Sequence, residues 1–311
     1  MKTAFVFPGQ GSQAVGMGRD LFENLDPVKS LYSIAYEVLN YDLAEISFDG
    51  PEEELNKTFR TQPCLLTASV AAHVALVGKG IMPDAVAGHS LGEYSALVAA
   101  GSISFRDAVK ITEQRGLLMQ NAVPEGKGLM AAILGLERKV LDAICSSVSS
   151  GYVAAANYNC PGQIVISGEK TAVQEAMSKA KEAGAKRALP LSVSVPSHSK
   201  LMLEAGAEFS KVLNSITIRD ASVTFVNNTD AKVVSDAAEI KESLVKQMSQ
   251  SVLWEDCISE LIRSGVDIFV ELGPGKVLSG LIKRIDNSVK TFNVDNIESL
   301  ERTASEINSL K

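Results

Sequence analysis

The chain has 311 residues, of which 46% are hydrophobic and 22% are charged, so a domain count of about two, or one domain with a large insertion, is expected. The 30 basic and 37 acidic residues give a net charge of −7, which argues against a protein that binds nucleic acid or an anionic membrane surface. The richest apolar stretch, Cys64 to Val77, is too short to span a bilayer. No secretory leader pattern precedes the first apolar segment, so we expect a soluble, cytoplasmic protein.

Cysteine and histidine usage points away from a metal centre. No two of the four cysteines have the CxxC spacing, and only three histidines occur. This pattern predicts neither a structural zinc site nor a disulfide framework, but buried thiols in a reducing compartment.

Short β-branched segments alternate with longer segments of helical periodicity, which predicts an α/β protein with a largely parallel sheet. The capping box of Ser104 and Asp107 predicts the start of a helix that runs to about Ala122. The elements predicted before it are a strand at Thr3–Phe7, helices at Pro27–Leu39 and Pro63–Val77, a strand at Asp84–Ala87 and a helix at Leu91–Ala100.

The pattern changes after Pro124 to a β-α-β-β-α-β order, which is typical of a ferredoxin-like unit. We therefore predict a small ferredoxin-like domain at 125–190, inserted into a large α/β-hydrolase-like domain formed by 1–124 and 191–311. The predicted small-domain elements are Leu129–Leu136, Glu137–Val148, Tyr152–Ala156, Gln163–Ser167, Lys170–Ala183 and Lys186–Ser192. Those predicted after it are helix His198–Leu213, strand Val223–Asn227, helices Glu239–Met248 and Leu253–Arg263, strand Val266–Glu271, helix Lys276–Arg284 and strand Val289–Phe292.

The strongest local signal is Gly88-His89-Ser90-Leu91-Gly92, a Gly-x-Ser-x-Gly pattern between a predicted strand and a predicted helix. This context is typical of a nucleophile elbow, where glycines on both sides allow the sharp turn that exposes the serine hydroxyl. An ordinary strand–helix turn is the alternative. The flanking elements favour Ser90 as a nucleophile.

A serine nucleophile needs a base, and His198 is the best placed of the three histidines. It lies in Val195-Pro196-Ser197-His198, where we predict that a strand ends and a helix begins. The positive end of that helix would lower the pKa of the imidazole and keep it neutral. The alternative is a surface residue at the start of a helix.

Arg115 occupies the inward face of its predicted helix, at the spacing where an aliphatic side chain is expected. A buried guanidinium needs an anionic partner, because an unpaired buried charge is very costly. The pattern leaves open whether that partner is an internal carboxylate or a substrate carboxylate.

The loop Pro8-Gly9-Gln10-Gly11 after the first strand fits GxGxxA formally, but the acidic residue of a dinucleotide site is missing. Exposed backbone amides here could form half of an oxyanion hole, and a plain tight turn is the alternative.

Six ordered motifs together resemble the malonyl-CoA:acyl carrier protein transacylases of type II fatty acid synthesis. The resemblance covers nearly the whole chain. The motifs are Phe7–Gln13, Gly88–Glu93, Gln114–Gly116, Asn157–Gly168, Val195–His198 and Glu271–Gly275.

The resemblance implies a role for each candidate. Ser90 would be acylated, His198 would be the base and Arg115 would hold the malonyl carboxylate. The backbone amides of Gln10 and Leu91 would form the oxyanion hole, and a main-chain carbonyl at Gln250 would orient His198. The partners implied are malonyl-CoA and acyl carrier protein, and no metal or bound cofactor is expected, since CoA and phosphopantetheine are parts of the substrates.

Two other classes of function remain: a serine esterase or thioesterase, which normally adds an acidic residue to the triad, and a non-catalytic protein that docks the carrier. We expect a monomer. Because acyl carrier proteins are acidic, we expect a basic docking patch, with the candidates Lys186, Arg187, Lys276, Lys283 and Arg284.

Overall fold

Two β-sheets organise the chain in the computed structural model, which describes residues 1–191 and 195–310. The strands are β1 Lys2–Phe7, β2 Ala85–Gly88, β3 Gly128–Leu134, β4 Val153–Cys160, β5 Gln163–Glu169, β6 Arg187–Pro190, β7 Thr224–Phe225, β8 Val266–Leu272 and β9 Lys290–Val294. The helices are α1 Arg19–Asn24, α2 Asp26–Leu39, α3 Leu43–Phe48, α4 Glu52–Leu55, α5 Thr58–Gly78, α6 Gly92–Ala99, α7 Phe105–Asn121, α8 Arg138–Ser146, α9 Lys170–Glu182, α10 Leu203–Leu213, α11 Ala237–Gln247, α12 Trp254–Arg263, α13 Val277–Ile285 and α14 Ile297–Ser309.

The large sheet is parallel, with the strand order β7-β2-β1-β8-β9. Phe5 and Phe7 of β1 pack into one hydrophobic core and Ala4 and Val6 into another, so the central strand is buried on both faces. This burial explains its continuous apolar sequence. Phe7 pairs with Gly88, and the loops after β1 and β2 therefore leave the same edge of the sheet side by side.

The small sheet is antiparallel, with the order β4-β5-β3-β6. Helices α8 and α9 cover one of its faces, and this is the ferredoxin-like arrangement. The predicted fold class, an α/β-hydrolase-like domain with a parallel sheet plus a ferredoxin-like domain, is confirmed. All four strands lie between Gly128 and Pro190, while the domain bounds 125 and 190 stay a prediction. Ser192, the end of the predicted strand Lys186–Ser192, lies outside the described residues.

Helix α5 begins five residues before Pro63, which the sequence had suggested as its start. It is long and apolar enough to cross a membrane by length and composition alone, but 78% of its most apolar window is buried in the protein. It packs against α2 and α7 as a core helix of the large domain.

The two domains are joined at the edge strand β4. The backbone N–H of Val252, beyond α11, donates to the carbonyl of Ala156 (2.8 Å), and the N–H of Tyr158 donates to the carbonyl of Val252 (2.9 Å). The Ser251 hydroxyl also donates to the carbonyl of Ala155 at 2.7 Å. The segment after α11 is therefore held by the small domain.

Candidate active site

Ser90 lies in a sharp turn between β2 and α6, with a φ of +52°. A Cβ atom at Gly88 would lie 1.9 Å from the carbonyl carbon of Gly92, and one at Gly92 would lie 2.0 Å from the carbonyl oxygen of Phe7. Only glycine fits at these two positions, which is the physical reason for the Gly-x-Ser-x-Gly pattern. The Ser90 N–H donates to Asn228 Oδ1 at 2.8 Å and fixes the turn from the other side.

The structure brings Ser90 and His198 together. Ser90 Oγ lies 2.7 Å from His198 Nε2, although 108 positions separate the two residues in the chain. His198 is only 4% exposed, and its Nδ1 lies 2.8 Å from the carbonyl oxygen of Gln247. Because a carbonyl can only accept, Nδ1 carries the hydrogen and Nε2 is free to accept the Ser90 proton.

The carbonyl that accepts a hydrogen bond from His198 Nδ1 belongs to Gln247, three residues before the predicted Gln250. Helix α11 ends at Gln247, and the carbonyls of a last helical turn have no partner inside the helix. The N–H of His198 also donates to the carbonyl of the next residue, Met248, at 3.2 Å. Gln250 lies beyond the helix, where its N–H donates to the carbonyl of Lys246.

The neutral state of His198 has a different cause from the one that the sequence suggested. His198 does not begin a helix: a short 3-10 turn at Lys200–Met202 follows it, and α10 starts only at Leu203. Burial, with the nearby charge of Arg115, lowers the pKa of His198 to about 3, and the hydrogen bond to Gln247 opposes this shift. The imidazole is therefore neutral at physiological pH, as a general base must be.

Arg115 faces inward from α7 and is 1% exposed. Its Nη1 donates to Gln62 Oε1 at 2.9 Å, and its Nη2 donates to Gln247 Oε1 at 2.8 Å and to Ser90 Oγ at 3.3 Å. In the part of the chain that the structure describes, no carboxylate pairs directly with it. The guanidinium is held in place by neutral amides, and its charge is left for an anion beside Ser90.

Two backbone amides at the edge of the sheet are free to bind an oxyanion. The N–H groups of Gln10, after β1, and Leu91, after β2, make no hydrogen bond to any described residue. A Cβ at Gly9 would lie 2.4 Å from the carbonyl oxygen of His89, so the two loops are in close contact. This arrangement suits the developing negative charge of a tetrahedral intermediate.

Several polar residues of the site escaped the sequence analysis. Glu93 is fully buried, and burial raises its pKa to about 7 against the effects of the Gln247 hydrogen bond, the Asn228 N–H and the charge of Arg115. Gln62 could have been noticed as a buried amide in an apolar helix, by the reasoning that singled out Arg115. Gln247 and Asn228 lie in segments without a motif, and only the tertiary structure brings them to the site.

Comparisons with known proteins show the family of the chain. A family model described as an acyl transferase domain matches residues 4–303. The malonyl CoA-acyl carrier protein transacylase of Bacillus subtilis is 48% identical over 302 residues, which cover 96% of this chain and 95% of that protein. The protein of the same name from Haemophilus influenzae is 47% identical over 301 residues, or 96% of each chain.

Solved structures extend the likeness to three dimensions. An acyl carrier protein S-malonyltransferase from Vibrio cholerae superposes with a TM-score of 0.95 at 48% identity, over 97% of this chain and all of that one. A malonyl-transacylase in complex with its type II PKS acyl-carrier protein gives a TM-score of 0.96 at 46% identity, over 98% of this chain and all of that one. The chain therefore belongs to the acyl transferase domain family, among the malonyl CoA-acyl carrier protein transacylases.

Proposed function

We propose that the chain transfers the malonyl group of malonyl-CoA to the phosphopantetheine thiol of acyl carrier protein in fatty acid biosynthesis, through a malonyl ester on Ser90. One observation carries the proposal: a nucleophile, a neutral base and a buried cation converge at a single atom. His198 Nε2 lies 2.7 Å and Arg115 Nη2 lies 3.3 Å from Ser90 Oγ.

In the first half-reaction the malonyl carboxylate pairs with Arg115. His198 Nε2 takes the hydroxyl proton while Ser90 Oγ attacks the thioester carbon, and the amides of Gln10 and Leu91 bind the resulting oxyanion. The C–S bond then breaks, and the CoA thiolate leaves with the proton held by His198. The charge that forms on the imidazole is stabilised by the Gln247 carbonyl, which accepts the Nδ1 hydrogen.

In the second half-reaction the carrier replaces CoA. His198 accepts the proton of the phosphopantetheine thiol, the sulfur attacks the Ser90 ester, and the proton returns to Ser90 Oγ as the ester bond breaks. The same base and the same amides serve both halves, because the second step is the reverse of the first with another thiol.

The arrangement around His198 also bears on the esterase alternative. A hydrolase of this kind normally orients its histidine with an acidic side chain, whereas a main-chain carbonyl occupies that position here. Arg115 adds a selection step, since an acetyl group would leave the buried guanidinium without its anion. Both features favour transfer of a carboxylated acyl group.

The docking surface stays a prediction. Lys186, Arg187, Lys276 and Lys283 are exposed and form no ion pair with a described residue, while Arg284 binds Gln163 Oε1 (2.6 Å) and the carbonyl of Pro161 (3.1 Å). We propose that the acidic carrier docks on this basic patch. A cytoplasmic location, a monomeric state and a reaction without a metal or bound cofactor belong to the same proposal, and the four free, buried cysteines are consistent with a reducing compartment.

Radiolabelled malonyl-CoA tests the function directly. We expect a stable label on the protein that is delivered to acyl carrier protein, and Ser90→Ala should lower the transfer rate by about 10⁴-fold or more. Ser95→Ala, on the helix that follows the elbow, is the matched control and should keep the label. Release of free malonate would instead support hydrolysis, and absence of any label would refute both enzymatic functions.

A further inference from the structure

The side-chain amide of Gln247 lies at the centre of the site, between the carboxyl group of Glu93 and the guanidinium of Arg115. Its Nε2 donates to Glu93 Oε2 at 2.7 Å and to the carbonyl of Ser90 at 2.9 Å, and its Oε1 accepts from Arg115 Nη2 at 2.8 Å. We propose that Glu93 is a positioning residue for Arg115, which acts through the Gln247 amide and so sets the preference for a malonyl group. This inference rests on the proposed function, because it assigns the binding of the malonyl carboxylate to Arg115.

The orientation of the amide follows from the chemistry of its neighbours. The Ser90 carbonyl and Glu93 Oε2 accept hydrogen bonds, so the NH₂ group of Gln247 must face them. A guanidinium only donates, so the amide oxygen must face Arg115. If the amide rotated by 180°, its NH₂ group would face the Arg115 donors and the guanidinium would lose its closest acceptor.

Glu93 lies in the protein core, where it contacts Gln247. It is fully buried on α6, three residues after Ser90, and its Oε2 accepts from both Gln247 Nε2 and the N–H of Asn228 at 3.2 Å. Its Oε1 has no partner among the described residues, so a proton on that oxygen would leave both contacts of Oε2 intact. Burial lowers the pKa of Arg115, and the charge of Glu93 opposes this shift without a direct ion pair that would occupy the Nη atoms.

The second amide that holds Arg115 shows what Glu93 adds. Gln62 Oε1 accepts from Arg115 Nη1, but among the described residues its Nε2 reaches only the sulfur of Met119, at 3.5 Å. A thioether is a weak acceptor and fixes the orientation of an amide poorly. The Nη2 side of the guanidinium, which faces Ser90, is therefore oriented by an amide that Glu93 and the Ser90 carbonyl hold, and Glu93 makes the shorter of these two contacts.

Two conservative substitutions of Glu93 separate the effect of its hydrogen bond with Gln247 from the effect of its charge. Glu93→Gln keeps an acceptor for Gln247 and removes the charge, whereas Glu93→Asp keeps the charge and withdraws the acceptor by one methylene. We expect Glu93→Asp to raise the KM for malonyl-CoA about tenfold, because the Arg115 contact loses its orientation. The KM of Glu93→Gln should stay within about threefold of the wild-type value, since an intact contact leaves Arg115 in place.

Two further readouts distinguish positioning from a general effect on the elbow. Acetyl transfer from acetyl-CoA and the labelling of Ser90 by a fluorophosphonate both require the Ser90–His198 dyad. Neither requires Arg115 to bind a carboxylate, so we measure the kcat/KM of the first and the rate of the second. Both should change less than about twofold in each variant. Equal KM values in the two variants, or parallel losses with malonyl-CoA, acetyl-CoA and the fluorophosphonate, would overturn the inference.

Gln247→Met gives an independent route if Glu93→Asp does not fold. Removal of the amide should raise the malonyl-CoA KM about tenfold and leave acetyl transfer nearly unchanged. Adding Glu93→Asp to Gln247→Met should raise the KM no further, because both residues act on Arg115 through one contact. Additive effects would contradict the inference. A wild-type protein that fails to transfer malonyl would refute the proposed function itself, which is a distinct result.

Discussion

Ser90 and His198 are both non-glycine residues with a positive φ, at +52° and +56°, but the surrounding structure holds them in different ways. The Ser90 turn is imposed by its immediate neighbours, where Gly88 and Gly92 allow backbone segments to touch. The His198 conformation is imposed from far along the chain, by the carbonyls of Gln247 and Met248 at the end of α11. The turn at Ser90, the proposed nucleophile, is thus made possible by its flanking glycines and supported by Asn228, whereas the conformation of His198, the proposed base, rests on tertiary contacts.

Each strained conformation costs about 1–3 kcal/mol and persists only where the surroundings enforce it. For Ser90 the enforcing contacts are between backbone atoms packed in the core, so they cannot relax without disturbing the sheet. For His198 they are hydrogen bonds to a helix end, which can shift by small movements of one segment. We therefore expect steep effects of substitutions near Ser90 and graded effects near His198.

The largest effect is expected at the elbow. In Gly92→Ala, the added Cβ would lie 2.0 Å from the Phe7 carbonyl oxygen, and we expect a loss of about 3 kcal/mol of stability and at least about 100-fold of activity. Thermal unfolding and malonyl transfer measure the two effects. Gly280→Ala in α13 is the control, because a Cβ added there would meet no atom of a described residue within 4 Å, and it should be neutral or stabilising. Near-normal activity of Gly92→Ala would show that the elbow is not rigid.

Arg115 lies beside Ser90, with its Nη2 atom 3.3 Å from Ser90 Oγ. Its removal therefore tests how the surroundings of Ser90 select the substrate. Arg115→Ala should lower kcat/KM for malonyl-CoA about 50-fold, because the substrate carboxylate loses its charged partner. Acetyl transfer should be spared or raised. Arg106→Ala, an exposed residue of the same helix that pairs with Glu37, should change neither rate by more than about twofold. Equal losses with both substrates would refute a role in selection.

The pH dependence of the reaction at Ser90 tests the protonation state of His198. Because the pKa of His198 is about 3, the rate of fluorophosphonate labelling at Ser90 should stay flat from pH 8 down to about pH 5. Removal of the Arg115 charge raises the pKa of His198, so the acid limb should move to higher pH in Arg115→Ala. A wild-type rate that halves near pH 6.5 would mean that His198 is not buried as described.

The lowered pKa of His198 also makes the free energy of unfolding depend on pH. The unfolded chain binds a proton at His198 near pH 6.5, whereas the folded protein does so only near pH 3. The contribution of the neutral, buried imidazole to stability is therefore complete above pH 6.5 and is lost as the pH falls toward 3. Chemical denaturation at several pH values measures this slope, which His198→Gln should reduce.

The smallest effect is expected where the small domain holds the segment after α11. Ser251→Ala removes the 2.7 Å hydrogen bond to the Ala155 carbonyl and should cost about 1 kcal/mol and about twofold in kcat. Melting temperature and steady-state kinetics record both. Ser259→Ala, which removes only a hydrogen bond within α12, is the control. A tenfold or larger loss of kcat in Ser251→Ala would show that His198 is held as rigidly as Ser90.

The local origin of the Ser90 turn also explains why sequence reasoning found it. Glycines flank the serine within five residues, and Arg115 disturbs a helical period that is equally local. His198 could be selected because the chain has only three histidines. The fold class followed from the alternation of strands and helices, but the short helices α1, α3 and α4 have too few turns to show a period.

The partners of these residues could not be predicted, since they depend on which segments meet in space. The carbonyl that holds His198 was placed three residues too late, because no local pattern marks where α11 ends. Glu93 was visible in its motif, but its contact with Gln247 spans 154 positions. The helix expected at His198 starts later because residues 195–199 adopt no regular structure before the 3-10 turn at Lys200–Met202.

Strand β4 connects both halves of the dyad to one element of the small domain. His89 Nε2, next to the nucleophile, lies 2.8 Å from Asn159 Oδ1 on β4, and the segment that follows the support of His198 pairs with Ala156 on the same strand. The inserted domain therefore contacts the segments that carry Ser90 and that support His198, and it can fix their relative position. A chimaera that exchanges this domain for that of a relative must reproduce the backbone of β4, or the two residues will lose their common alignment.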